Sequence, residues 1–127
     1  MALRCMTRAA SVFRAGVAVA PVTDWRLYDT HYTERYMGQP QANADGYHES
    51  SVLTHAQELR GRLLLVHGMA DDNVLYQHSV LLMDALQKAS IPFEMMAYPG
   101  KKHGINGKGV RIHLYGMILA HFHRHLG

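Results

Sequence analysis

The sequence predicts an α/β fold built on a parallel sheet, and three observations carry that reading. Residues 62–67, "RLLLVH", are apolar almost without break, as suits a parallel strand covered on both faces. Residues 15–20, "AGVAVA", and 93–98, "FEMMAY", are two more runs of strand length. Beside these runs, residues recur at helical spacing: Val74, His78, Leu81, Leu82, Ala85 and Leu86, then Val110, Leu114, Met117, Ile118 and Phe122. Strand and helix alternate with connections that fit parallel strands.

Taken in order, residues 1–10 read as a short helix with no Ser, Thr, Asp or Asn before it as a start signal. The strand at 15–20 stops at Pro21. Thr23 or Asp24 is placed to cap one helix running to about Tyr36, and Gly38 and Pro40 end it. Residues 43–58 read as short helical pieces in a long connection. The strand at 62–67 and its helix follow, Pro92 marks the turn into the strand at 93–98, and the last helix closes at Gly127.

Composition narrows the function classes. The chain has 127 residues, 48% hydrophobic and 18% charged, enough to bury a core. Its net charge is +3, and the basic residues are scattered. No basic stripe with interleaved aromatics is present, which argues against nucleic-acid binding. The single cysteine, Cys5, excludes a disulfide within the chain. No apolar run approaches the ~20 residues of a membrane span. The segment "MALRCMTRAASVFRAG" lacks the apolar core and cleavage site of a signal peptide, so nothing names a compartment.

In open α/β sheets, ligands bind beyond the carboxyl ends of the strands. Asp71, Asp72, Asn73 and His103 all follow strand ends and share one rim if the two strands are neighbours. A carboxylate that accepts an imidazole N–H fixes the tautomer and leaves the other ring nitrogen free to take a proton. Spacing leaves a plainer reading open: Asp71 and Asp72 cap the next helix, and His103 is a surface histidine. Likewise Trp25, Tyr28 and Tyr32 fall at i, i+3 and i+7, the spacing of a helix face buried in the core.

"LLLVHGMADDNV" followed by "YPGKKHGI" resembles the end of a prolyl oligopeptidase-family serine peptidase. "APVTDWRLYDTHYTERYMG", residues 20–38, resembles the dipeptidyl peptidase IV branch of that family. The resemblance covers nearly the whole chain, its motifs in the family's order. It implies the C-terminal part of an α/β-hydrolase fold, with about three parallel strands and flanking helices. It implies that Asp71 is the triad acid and His103 the triad base. Asn73 would hold a backbone carbonyl of the bound peptide. Val22, Trp25, Tyr28, Tyr32 and Val74 would line a pocket for the substrate proline. The implied reaction is serine-nucleophile hydrolysis releasing N-terminal dipeptides after Pro or Ala, without metal or organic cofactor.

The same resemblance sets expectations about what is absent. The expected nucleophile elbow, Gly-x-Ser-x-Gly, is missing: none of Ser11, Ser50, Ser51, Ser79 and Ser90 has glycine two before and two after. Residues 1–127 are therefore expected to be a partial catalytic domain, without the elbow and without the family's β-propeller. Alone, the chain is expected to be inactive. The apolar strand at 15–20 is expected to leave a bare edge through which chains associate.

Rival readings are a non-catalytic remnant or assembly partner, and an esterase or acylaminoacyl peptidase of the same fold. The Trp-Tyr-Tyr set argues against the latter. In the tail, His121 and His125 stand at i, i+4 and are able to share a zinc ion. With no Cys or acidic group near them in sequence, a basic solvated face is expected there, and no metal site.

Overall fold

The computed structural model describes residues 1–127. Its sheet has three parallel strands in the order β1-β2-β3: β1 (Ala15–Val19), β2 (Arg62–Gly68) and β3 (Glu94–Tyr98). The helices are α1 (Ala2–Arg8), α2 (Thr30–Met37), α3 (Ala44–Ser50), α4 (Gln77–Lys88) and α5 (Lys108–Leu126). Fold class and strand positions agree with the sequence reading. No helix is long and apolar enough to cross a membrane.

The central strand shows why its sequence is apolar throughout. Successive side chains point to opposite faces, and both faces of β2 are covered. Leu63 and Leu65 pack with Leu3, Met6, Ala18, Val52, Ala56, Leu59, Leu82 and Leu86. Leu64 and Val66 pack on the other side with Tyr98, Ile105 and Leu114. All four strand residues are 0–1% exposed. At about 25 cal/mol per Å² of apolar area removed from water, this doubly covered strand is the main anchor of the sheet. The outer side of β1 pairs with no strand.

One expected helix is two pieces. The Asp24 side chain accepts the Arg26 N–H (2.8 Å) and starts only a 3-10 turn, Trp25–Leu27. Tyr28 then turns extended, and Asp29 accepts the His31 N–H (2.8 Å) to start α2. Local Asp-to-backbone bonds compete with helix continuation, so "DWRLYD" breaks where periodicity predicts a run.

The tail also departs from expectation. His121 is 1% exposed, and its Nε2 lies 3.1 Å from the Arg62 carbonyl oxygen. Glu94 of β3 stands against His121 and His125, so an acidic group is near them in space though not in sequence. The solvated face of α5 carries the exposed Arg111, His113, His123 and Arg124, as expected, and with them the exposed Ile112, Tyr115 and Leu119.

Candidate active site

The register of the sheet builds the site. Gly68, the last residue of β2, pairs with Tyr98, the last residue of β3. The two following loops therefore leave the same rim side by side. Backbone bonds join them: Met69 N–H to the Tyr98 carbonyl (3.0 Å) and Ala70 N–H to the Lys101 carbonyl (3.0 Å). A Cβ at Gly68 would collide with the Lys101 and Lys102 carbonyl oxygens, so only glycine allows this approach. Lys102 and Asp72 form an ion pair across the loops.

Asp71 is the hub. Its side chain is fully buried, and both carboxylate oxygens are engaged. Oδ1 accepts the Asn73 and Val74 N–H groups, each at 3.0 Å. Oδ2 accepts from His103 Nδ1 at 2.9 Å. Neither Asp71 nor Asp72 caps α4, which begins at Gln77 without a side-chain cap; Oδ1 instead holds the turn that precedes the helix. Burial pushes the carboxyl pKa up, but His103 and the two amides outweigh burial and hold it below its ordinary value.

His103 is 44% exposed and directs Nδ1 at Asp71. With its Nδ1–H donated there, Nε2 is left as a free proton acceptor at the rim. The loop behind it is anchored by Ile105, which is 1% exposed in the core with Tyr98 and Leu114. Ile105 has a φ of 44°, a conformation that a β-branched residue adopts only when packing holds it.

His67 was not singled out by sequence reasoning. It is 0% exposed, and its Nε2–H is shared between the Val74 carbonyl (2.9 Å) and Asp71 Oδ2 (3.1 Å). Ser79 Oγ sits 2.7 Å from Nδ1 and donates to it. This neutral tautomer satisfies every polar atom of the ring and braces Asp71 from beneath. No local signal marks it, because His67 lies inside the apolar run of β2.

The aromatic residues stand on the same rim, in the chain leaving β1. Trp25 and Tyr32 stack with centroids 6.1 Å apart, and Tyr28 meets each edge-on, at 5.8 Å and 5.7 Å. Tyr32 is 48% exposed, so these rings are not a core helix face. The Tyr28 hydroxyl donates to Asn73 Oδ1 at 2.7 Å, linking the rings to the Asp71 loop. Val22 and Trp25 line an apolar groove beside β1 of about 420 Å³. Val74 is 4% exposed and is held in the Asp71 turn. Thr23 fastens the segment to α4, its N–H donating to His78 Nδ1 (3.1 Å) and its hydroxyl to the His78 carbonyl (2.9 Å). No serine hydroxyl bonds His103; those of Ser51 and Ser79 are engaged by Asp24 and His67.

The sequence model of the prolyl oligopeptidase family matches residues 1–127. The chain belongs to the prolyl oligopeptidase family. Curated relatives include venom dipeptidyl peptidase 4 of Vespa velutina, 47% identical over 108 residues, covering 83% of this chain and 14% of that protein. Dipeptidyl peptidase 4 of Bos taurus is 43% identical over 114 residues, covering 87% of this chain and 15% of that protein. The crystal structure of Porphyromonas gingivalis dipeptidyl peptidase 4 superposes with a TM-score of 0.94 at 47% identity. That match covers 97% of this chain and 18% of the other. The chain thus spans under a fifth of the length of these members of the prolyl oligopeptidase family.

Proposed function

We propose that this chain carries the acid-base pair and the proline pocket of a serine-type dipeptidyl peptidase, the nucleophile coming from residues outside its 127. The observation that carries the reading is the bond from exposed His103 to the buried, ionised Asp71, on the rim that also holds Asn73 and the three rings. In this reading His103 Nε2 takes the proton of a serine hydroxyl as its oxygen attacks the carbonyl carbon after a penultimate proline or alanine. Asp71 holds the ring and balances the imidazolium. The proton then passes to the leaving amine as the peptide C–N bond breaks. Water, deprotonated by the same nitrogen, then attacks the acyl-serine; the acyl C–O bond breaks, the proton returns to the serine oxygen and the dipeptide is released. Because Tyr28 occupies Asn73 Oδ1, the Asn73 amide is left to donate to a peptide carbonyl. The stacked and edge-on rings suit a pyrrolidine ring, compact and apolar.

The chain alone is predicted to have no peptidase activity, since neither nucleophile nor oxyanion donors accompany the pair. The test is a chimera in which this chain replaces the corresponding segment of the Porphyromonas gingivalis protein. Peptides with Pro, Ala or Leu at the second position are offered and the products weighed by mass spectrometry. Dipeptide release from the Pro and Ala peptides supports the reading. A folded chimera that releases nothing, or does not distinguish Leu, contradicts it.

A further inference from the structure

At the opposite end of the sheet from His103 lies a second cluster of groups suited to chemistry. Glu94 opens β3, and His121 and His125 sit one turn apart on α5. One donor atom from each lies within 4.8 Å of the other two. Glu94 Oε1 is 3.3 Å from His121 Nδ1 and 3.1 Å from His125 Nε2. We infer that Glu94, His121 and His125 form a site for a divalent transition metal of the zinc class.

Three observations point to a cation. First, His121 is 1% exposed, and its Nε2 faces the Arg62 carbonyl, an acceptor that calls for the ring's N–H. A neutral imidazole has only one N–H, so Nδ1 presents a lone pair toward the Glu94 oxygen. A cation between these two acceptors, either a second ring proton or a metal ion, resolves their opposition. Second, two of the three spacings fit. Zinc bonds of ~2.0–2.2 Å in tetrahedral geometry place neighbouring donors about 3.3 Å apart, which matches both oxygen-to-nitrogen distances. The two imidazole nitrogens lie within 4.8 Å of each other and need a rotation of the partly exposed His125 ring to close on one ion. Third, the surroundings are those of a supported site. The Arg62 carbonyl orients one imidazole, and the Arg124 guanidinium holds the other carboxylate oxygen, Oε2, at 3.0 Å. The side chain of Glu94 is 38% exposed and that of His125 17%, so a fourth position opens to solvent. A small cleft beside it is lined by Arg62, Leu63, Pro92 and Phe93.

Imidazole with one carboxylate selects zinc, nickel or copper over magnesium or calcium. The nearby Arg124 charge opposes a cation, so micromolar rather than nanomolar affinity is expected. The ion would clip the end of α5 to the start of β3. Glu94 is four residues from Tyr98, about 13 Å along the strand, so the site is separate from the Asp71 rim.

The test is calorimetric titration of this chain with zinc chloride at neutral pH, with magnesium chloride as comparison. One saturable zinc site is expected, weakened at least about tenfold by Glu94→Gln or His125→Ala. His113→Ala and His123→Ala should leave it unchanged. Cobalt(II) added to the unaltered chain gives a second readout that needs no variant. Strong visible absorption typical of a tetrahedral site, without a thiolate band, supports the proposal. It is overturned by absent or unsaturable binding, by binding that survives both ligand substitutions, or by a thiolate band placing the metal on Cys5.

Discussion

Asp71 combines full burial with four hydrogen-bonding neighbours, and its ionisation is linked to folding. Its carboxyl binds a proton less tightly in the fold than in the unfolded chain. Its contribution is therefore complete above the ordinary carboxylate value of about 3.9 and is lost as pH falls through the depressed value. Asp71→Asn should cost on the order of 2 kcal/mol near neutrality. Thermal unfolding followed from neutral to acid pH should show that cost constant at first, then shrinking; a cost that grows with acid contradicts the linkage. His67→Phe should cost about 1–3 kcal/mol in denaturant unfolding, because it strips the buried Ser79 hydroxyl of its partner and Asp71 of its brace. An unchanged midpoint would show that the brace carries no load. Asp71 and His103 were legible as a possible pair because both follow strand ends. His67 was not, because a histidine inside an apolar run reads as strand until its three-dimensional neighbours are known.

Among the elements, β2 was readable because burial on both faces leaves a continuous apolar run. The broken helix before α2 was not, because two aspartates capture nearby amides and override periodicity. The pairing of Glu94 with α5 was invisible for a related reason: nothing in the local sequence of the histidines announces a strand end 27 residues away. The junction between β2 and β3 makes a sharp prediction. Gly68→Ala forces the Lys101–Lys102 backbone away and should cost about 1–3 kcal/mol. It should also loosen the His103–Asp71 bond. The imidazole proton resonances of His103 should shift toward those of a free histidine in nuclear magnetic resonance spectra. Unchanged resonances and stability would mean that the loops do not depend on the close approach.

For the molecule as a whole, surface is left open on two sides. The outer side of β1 has no strand partner, and α5 exposes Ile112, Tyr115 and Leu119. An unpaired parallel edge is a template for another chain. Sedimentation of the isolated chain should show concentration-dependent association, reduced by Val19→Lys at the edge strand, where Val19 is 42% exposed. A monodisperse monomer with a cooperative melt contradicts this. Membership of the prolyl oligopeptidase family accounts for the sheet, and the proposed function rests on His103 acting as the base. The most direct measurement is kcat of the chimera on a Gly-Pro substrate, with and without His103→Ala. The account predicts a loss of about 10⁴-fold or more with the fold intact. Activity that persists in the folded His103→Ala chimera would contradict it.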